Sequence, residues 1–318
     1  MWGAALSNFV GGIWYLAGPI ALTKDRIMHT PHAQALTPIS FTFSAPDHDR
    51  LMAADVRYVP SGDAKPVLVF VHGFKGFKDW GAWRLMMDIL AQAGFVVVKA
   101  NLSHNGTTVE APTDFVDLEA FGRNTYSREL DDVGAWLDAI EAGQLPVPAE
   151  EVDASRLGII GHSRGGALVL LKAAEDARVK AVATWAAVAD LAKRYPDALK
   201  AEWKEKGVRY IPNARTGQQM PLYWSLMEDL EQNAERLSVP RAVASLTQPL
   251  LVVHGDADPT VLVADAEALA SQQPTAQKLI VPGGDHVFQM RHPWSESTLP
   301  PEAQAVADRT AAFFKEVW

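Results

Sequence analysis

Residues 157–174 join an apolar strand, a glycine-flanked serine and a helix in one short stretch. The run LGII is followed by the pentapeptide GHSRG, with its serine at Ser163, and the helical pattern GALVLLKAA continues from there. A serine between a buried strand and a helix lies on a sharp turn that lifts its hydroxyl clear of the sheet. Glycines on both sides are needed because a Cβ would collide with the neighbouring strand and helix. The stretch predicts a nucleophilic serine on an α/β scaffold.

Strand and helix patterns alternate along the rest of the chain. Continuous apolar runs bounded by polar residues predict buried strands. The predicted strands are Ile39–Ser44, Met52–Val59, Val67–Val71, Phe95–Ala100, Arg156–Ile160, Val179–Trp185, Leu250–His254 and Lys278–Val281. The predicted helices are Trp80–Ala93, Thr125–Ile140, Ser163–Ala174 and Glu302–Val317. The alternation predicts a mostly parallel central sheet with helices on both faces, led by a hairpin of the first two strands.

The helix Thr125–Ile140 shows the amphipathic pattern most clearly. Its apolar residues recur at helical spacing, which predicts one face against the core. These residues are Leu130, Val133, Leu137 and Ile140. The sequence predicts that Asp131, Asp132 and Asp138 face the solvent.

A serine nucleophile needs a base and an acid that orients the base. On this scaffold the partners follow the serine in the order acid, then histidine. The strand LLVVHG runs into Asp256 and Asp258, and the strand KLIVPGG runs into His286. We expect Asp258 as the acid because it lies past the first turn, with Asp256 as the alternative. We expect His286 as the base rather than His292, because His286 directly follows its strand.

An oxyanion formed at the serine requires two hydrogen-bond donors. The backbone N–H of Arg164 begins the helix after Ser163, where the helix dipole is positive. The strand VLVFV turns sharply at Gly73, which makes the N–H of Phe74 the expected second donor. His72, like the other histidines that end strands, is expected to bond the backbone of its own loop.

About sixty residues separate the strand ending at Trp185 from the strand starting at Leu250. That is far longer than an ordinary connection, so residues 187–247 are predicted to form an inserted helical lid over the ends of the strands. The helices predicted in it are Leu191–Lys206, Pro221–Arg236 and Pro240–Leu246. Large apolar side chains in its centre are the candidates for substrate contact. They are Met220, Tyr223 and Trp224.

The motifs HGF, GHSRGG, HGDADPTV and GGDHVF, in that order, resemble the α/β-hydrolase superfamily over residues 39–317. HGFKGFKDWG and NLSHNG, together with a lid, are similar to the serine esterase-like branch near dienelactone hydrolases, cinnamoyl esterases and prolyl-oligopeptidase-type peptidases. Dienelactone hydrolases proper use a cysteine, which this chain lacks. The resemblance implies an α/β-hydrolase fold and acyl transfer through an acyl-enzyme, without a cofactor.

The expected function is cleavage of a small-molecule carboxylic ester by Ser163, Asp258 and His286. One alternative is a peptidase with the same triad, which would anchor a free amino terminus with acidic side chains. The candidates for that anchor are Glu228, Asp229 and Glu231. The other alternative is a non-catalytic binding protein on a hydrolase scaffold, and the intact triad argues against it.

Composition disfavours several other classes. The net charge is −9 and no Lys/Arg cluster stands out, which argues against a nucleic-acid partner. There is no cysteine, and the nine histidines show no paired metal-ligand spacing. No metal or cofactor is expected, and the oligomeric state is left open.

Residues 1–38 are predicted to be an N-terminal extension outside the main domain. The run from Met1 to Thr23 carries no charge and is long enough to span a membrane, but glycines and Pro19 interrupt it. No basic segment precedes it, as a secretory signal would require. We therefore expect a cytoplasmic protein, with export or membrane anchoring through this segment as the alternative.

Overall fold

The structure is a computed structural model, and it describes residues 36–46 and 50–318. Its strands are β1 (Ile39–Ser44), β2 (Leu51–Arg57), β3 (Lys65–Val71), β4 (Val96–Ala100), β5 (Val152–His162), β6 (Val179–Trp185), β7 (Val208–Pro212), β8 (Gln219–Tyr223), β9 (Leu250–Gly255) and β10 (Gln277–Val281). Its helices are α1 (Trp83–Gln92), α2 (Leu118–Gly122), α3 (Tyr126–Glu141), α4 (Arg164–Glu175), α5 (Asp197–Lys206), α6 (Ser225–Gln232), α7 (Val239–Ser245), α8 (Val263–Gln272) and α9 (Pro301–Val317).

Eight of these strands form one central sheet in the order β1-β2-β4-β3-β5-β6-β9-β10. β2 pairs antiparallel with both β1 and β4. Every other neighbouring pair in the sheet is parallel. This confirms the prediction of a mostly parallel sheet led by a hairpin. Parallel neighbours are joined by crossovers, so their carboxyl ends, and the loops that follow them, meet at one edge.

Strand β3 lies inside the sheet and is buried along its whole length. Its side chains alternate between two cores, as the pleat of a strand requires. Val67, Val69 and Val71 belong to the core beneath α3 and α4, whereas Leu68 and Phe70 belong to the core beneath α1 and α9. A strand that is covered on both faces needs apolar residues at every position, which explains the continuous run VLVFV.

Helix α3 packs its predicted apolar face against the first of these cores. Leu130, Val133, Leu137 and Ile140 are all buried, as predicted. The prediction for Asp132 is wrong, because the structure buries it completely. Its Oδ2 accepts a hydrogen bond of 2.8 Å from the backbone N–H of Ser103, in the loop that follows β4. This bond ties α3 to that loop, which helical periodicity alone does not reveal.

The connection between β6 and β9 is an insertion of mixed structure, not the purely helical segment that was predicted. It contains α5, α6 and α7, but also an antiparallel hairpin of β7 and β8. The predicted helix Pro221–Arg236 was wrong at its start, because residues 221–223 belong to β8. Trp203 of α5 is buried against this hairpin and donates its indole N–H to the Leu222 carbonyl at 2.8 Å. The hairpin therefore satisfies a buried polar group of the neighbouring helix.

The predicted N-terminal extension lies almost entirely outside the described residues. Within residues 36–46 and 50–318, no helix combines the length and the apolar character needed to cross a bilayer.

Asp132 also gives the fold a dependence on pH. Burial raises the pKa of its carboxyl to about 7, although the hydrogen bond from Ser103 acts in the opposite direction. A carboxyl with a raised folded-state pKa binds its proton more tightly in the folded chain. Its contribution to stability is therefore present below about pH 4, where the unfolded chain is also protonated, and is lost as the pH rises to about 7.

We expect Asp132→Asn to remove this loss, because the amide keeps an acceptor for Ser103 and cannot ionise. The melting temperature of the variant, followed by circular dichroism, should rise relative to the wild type between pH 4 and pH 8. The matched control is Asp131→Asn, which alters the adjacent exposed residue of the same helix. Identical pH dependence in all three proteins would contradict this interpretation of the buried carboxyl.

Candidate active site

Ser163 occupies the turn between β5 and α4 in an unusual backbone conformation. Its φ is 56° and its ψ is −118°, a region that residues with a side chain rarely adopt. Its N–H donates to the Trp185 carbonyl at 2.8 Å, and its carbonyl accepts from the N–H of Gly166 at 3.0 Å. These bonds to β6 and α4 hold the turn in place, so that the hydroxyl projects at the edge where the parallel strands end.

The two flanking glycines are required by close backbone contacts. A Cβ on Gly161 would lie 2.2 Å from the carbonyl oxygen of Gly165. A Cβ on Gly165 would lie 2.3 Å from the carbonyl oxygen of Val71, at the end of β3. Neither neighbour can move away, because each contact is with backbone. The start of α4 therefore packs directly on β3 only because these positions carry no side chain.

The structure brings together Ser163, His286 and Asp258 from three separate loops. His286 Nε2 lies 3.0 Å from Ser163 Oγ, and His286 Nδ1 lies 2.8 Å from Asp258 Oδ2. Because an ionised carboxylate only accepts, Nδ1 carries the proton and Nε2 is free to accept from the serine hydroxyl. The imidazole is thus held in the tautomer that a general base requires.

Asp258 is buried and fully hydrogen-bonded. Its Oδ1 accepts from the backbone N–H groups of Thr260 at 2.7 Å and Val261 at 3.0 Å. Burial by itself raises the pKa of Asp258, but the hydrogen bonds from His254, His286 and Val261 outweigh it and hold the pKa well below its usual range. The carboxylate therefore remains charged beside His286 throughout the neutral range.

Three further histidines support the surrounding loops. His72 Nδ1 donates to its neighbour's carbonyl, Gly73 O, at 2.9 Å, as expected for a loop-bonding residue. His162 Nε2 donates to the His286 carbonyl at 2.8 Å, and His254 Nε2 donates to the Val261 carbonyl at 2.8 Å. Burial lowers the pKa of His72 to about 4 and that of His162 to about 3, so both are neutral at neutral pH.

The alternative acid and base lie elsewhere. Asp256 is exposed, and its Oδ1 accepts from the Gly283 N–H at 2.7 Å, closing the turn after β10. His292 packs edge-on against Phe77 with ring centres 5.1 Å apart, and its Nδ1 accepts from the Gly81 N–H at 3.0 Å. Both residues serve the loops in which they lie.

The turn carrying Phe74 approaches Ser163 closely. A Cβ on Gly73 would lie 3.0 Å from the Ser163 Cβ, and the Gly76 N–H closes the turn on the Gly73 carbonyl at 3.0 Å. Arg164 is the first residue of α4, so its N–H has no partner within the helix. The two predicted oxyanion donors therefore lie just after two adjacent strands, Phe74 after β3 and Arg164 after β5.

The side chain of Arg164 has a role that the sequence did not indicate. Its guanidinium carbon lies 4.1 Å from the centre of the Phe74 ring and 4.9 Å from that of Tyr126. It also pairs with the buried Glu129 at 3.3 Å. Arg164 thus stacks on the turn that carries one proposed donor while its own N–H supplies the other. Only the three-dimensional contact of α3, α4 and this turn reveals the arrangement.

A cavity of about 250 Å³ opens beside Ser163. Its lining comprises Gly73, Phe74, Lys75, Gly76, Trp80, Trp83, His162, Ser163, Asn213, Ala214, Arg215, His286 and Val287. The three predicted substrate-contacting residues lie outside this lining. Met220 is buried in the core, Tyr223 donates its hydroxyl to Glu119 at 2.5 Å, and Trp224 packs edge-on against Trp203. The insertion contributes instead through the turn of its hairpin, residues 213–215.

Two proteins of related fold are similar in length to this chain. The protein PA2218 of Pseudomonas aeruginosa is 26% identical over 74% of this chain and 71% of its own length. Its crystal structure superposes with a TM-score of 0.63 at 19% identity, covering 91% of this chain and 96% of that one. Est1E from Butyrivibrio proteoclasticus, solved with ferulic acid bound, has a TM-score of 0.65 at 19% identity and covers 87% of this chain and 98% of its own.

A peptidase shares the same fold. The acylaminoacyl peptidase of Pyrococcus horikoshii has a TM-score of 0.60 at 16% identity, and the match covers 89% of this chain but 41% of that chain. These structures agree with the α/β-hydrolase fold expected from the motifs. The profile of the prolyl oligopeptidase family matches residues 82–295, which include the turn at Ser163 and the loops after β9 and β10. The chain therefore belongs to the prolyl oligopeptidase family of serine hydrolases.

Proposed function

We propose that this serine hydrolase cleaves carboxylic esters, with Ser163 as nucleophile, His286 as general base and Asp258 as the residue that orients the base. The observation that carries the proposal is the continuous hydrogen-bonded relay from Ser163 Oγ through His286 to Asp258, with links of 3.0 and 2.8 Å. A hydroxyl becomes a competent nucleophile when such a base takes its proton.

The chemical steps follow from this relay. As Ser163 Oγ attacks the ester carbonyl carbon, His286 Nε2 takes the hydroxyl proton and Asp258 stabilises the imidazolium. The N–H groups of Phe74 and Arg164 donate to the oxyanion. Collapse of the intermediate breaks the bond to the alcohol, which leaves with the proton from His286. Water then attacks the acyl-enzyme by the same route, releasing the acid and restoring the serine.

The surroundings of Ser163 favour an ester over a peptide with a free amino terminus. An ammonium group would need acidic partners, and none of the described residues lining the cavity is Asp or Glu. The acidic residues of α6 that were candidates for this task lie outside the lining. Glu228 and Glu231 are exposed, and Asp229 accepts the backbone N–H of Ser127 at 2.9 Å. The insertion is proposed to act as a partial cover of the cavity through its hairpin turn.

Replacing the nucleophile gives the most direct test. We expect Ser163→Ala to lower kcat for p-nitrophenyl esters by about 10⁴-fold or more, because the relay loses its reacting atom. The melting temperature should change little. A fluorophosphonate probe should label the wild type and the control Ser155→Ala, which alters an exposed serine, but not Ser163→Ala. Labelling or turnover that survives in Ser163→Ala would show that another residue is the nucleophile. A wild type that neither cleaves the esters nor reacts with the probe would favour a binding protein.

The two neighbouring aspartates separate the proposed acid from a loop residue. Asp258→Asn should lower kcat by about 10³- to 10⁴-fold, because an amide cannot hold the imidazole in the required tautomer. Asp256→Asn keeps an acceptor for Gly283 and should leave kcat near the wild-type value. Steady-state rates on one ester measure both variants. If Asp256→Asn proves the more damaging change, the acid has been assigned to the wrong residue.

The two histidines near the end of the chain form a second matched pair. His286→Ala should abolish most turnover, since among the described residues no other imidazole is hydrogen-bonded to the Ser163 hydroxyl. His292→Ala removes a ring contact and an acceptor for Gly81, so it should act mainly on the melting temperature. Parallel measurements of kcat and melting temperature distinguish the two effects. The opposite ranking in kcat would exclude His286 as the base.

A further inference from the structure

The cavity beside Ser163 carries positive charge in a protein whose net charge is −9. Lys75 and Arg215 both line it, and its described lining contains no acidic side chain. The two cations come from unrelated parts of the chain, the turn after β3 and the turn of the inserted hairpin. Like charges repel, so bringing two cations to one small cavity is unfavourable unless something there offsets it.

Lys75 is held in place by the turn that carries Phe74. Its φ of 55° lies in the left-handed region, within the turn closed by the bond from Gly76 to Gly73. Its Nζ lies 3.4 Å from the carbonyl of Pro212, at the end of β7. A single long hydrogen bond to a neutral carbonyl leaves the ammonium charge uncompensated by that contact, with further donors available.

Arg215 lies in the turn of the inserted hairpin and also lines the cavity. Its guanidinium lies about 6 Å from the rings of Phe77 and Phe115, and its Nη2 lies 3.4 Å from the Thr113 carbonyl. Among the described residues its nearest carboxylate is Asp114, 3.7 Å away and 61% exposed. An ion pair this long and this exposed to water contributes little free energy, because water screens it. Arg215 therefore keeps most of its capacity to bind an anion.

The rest of the lining strengthens such an interaction. Phe74, Trp80 and Trp83 supply aromatic surface, and Trp83 is buried. Apolar walls lower the local dielectric and exclude water, so a charge pair inside them is stronger than one in bulk solvent. The same walls make an unpaired ammonium group on a ligand unfavourable beside two cations.

We propose that the substrate of this enzyme carries a carboxylate close to the scissile ester, and that Lys75 and Arg215 bind this carboxylate. The proposal rests on the ester hydrolysis proposed above and adds the class of substrate, such as a monoester of a dicarboxylic acid or an ester of a carboxylated alcohol. The two cations bind the carboxylate of the substrate and take no part in proton transfer.

The kinetic test uses two pairs of substrates matched in shape. p-Nitrophenyl monoglutarate is compared with p-nitrophenyl 5-methylhexanoate, which replaces the acyl carboxylate by a neutral branched end. 4-Acetoxybenzoate is compared with 4-acetoxybenzamide, which does the same on the alcohol side. In the wild type, kcat/KM of the anionic member should exceed that of its neutral partner by about tenfold or more in at least one pair, as expected for hydrogen bonds to a charged group.

Variants then test which residues produce the preference. Lys75→Gln with Arg215→Gln should lower the ratio of anionic to neutral kcat/KM by about tenfold or more. The control Arg209→Gln alters a cation of the same hairpin whose guanidinium lies over Trp203, outside the cavity lining, and should keep the wild-type ratio. A wild type without preference for either anion, or a preference that persists in the double variant, would overturn the proposal.

A binding measurement separates this proposal from the proposed function. Calorimetric titration with glutarate, using the wild type and the double variant, requires no catalysis. If no ester is cleaved but glutarate binds and the double variant loses it, the ester assignment fails while the anion site stands. If esters are cleaved but glutarate does not bind and neither anionic ester is preferred, ester hydrolysis stands and the anion site fails.

Discussion

The start of helix α4 rests directly on the backbone at the end of strand β3, and the site depends on this contact. Gly165 lies so close to the Val71 carbonyl that a Cβ at this position would be only 2.3 Å from its oxygen. The contact fixes the turn at Ser163 against the segment that continues into Gly73 and Phe74. One close approach between a helix and a strand thus positions both the hydroxyl of Ser163, the proposed nucleophile, and the proposed oxyanion donors. The strained backbone at Ser163 is maintained by the same packing.

Around this contact, buried histidines hold the loops together through hydrogen bonds. His162 bonds the backbone of the loop that carries His286, and His254 bonds the backbone of the loop that carries Asp258. Burial keeps His162 and His72 neutral at neutral pH. His254 Nε2 also lies 3.4 Å from Asp258 Oδ2, so His254 contributes to the hydrogen bonding of this carboxylate as well. The loops that carry His286 and Asp258 are therefore held by hydrogen bonds from these buried histidines.

The insertion contributes to the cavity through the turn of its hairpin, and its large apolar side chains lie outside the cavity lining. Its large side chains pack on one another, as Trp203 does against the hairpin and Trp224. What reaches the cavity is the hairpin turn with Arg215, and Lys75 lines the same cavity. The same hairpin, anchored by the Gln218 amide on the Phe115 carbonyl at 2.9 Å, fixes the position of that charge. Membership of the prolyl oligopeptidase family does not identify the substrate. The proposed substrate class rests on the positive charges of Lys75 and Arg215 in the cavity lining.

The sequence by itself determined the parallel sheet, the serine turn and the pairing of Ser163 with loops after two later strands. These are local patterns: apolar runs bury strands, and glycines mark a turn without room for a Cβ. The preference for Asp258 and His286 followed from their distance to the preceding strands. The short helix α2 was missed because a single helical turn shows too little periodicity. The hairpin of β7 and β8 was missed because its strands show no alternation of apolar and polar residues.

Only the tertiary structure decided which side chains meet from distant segments. Asp132 has a helical neighbourhood like that of Asp131, yet it is buried and accepts a hydrogen bond from the N–H of Ser103, far away in sequence. Arg164 stacks on Phe74 because α4 starts beside the turn after β3. Lys75 and Arg215 are separated by more than a hundred residues, and their shared cavity exists only once the hairpin folds over the strand ends. Local sequence patterns cannot predict these contacts. Each contact depends on how two elements that are distant in the chain pack against each other.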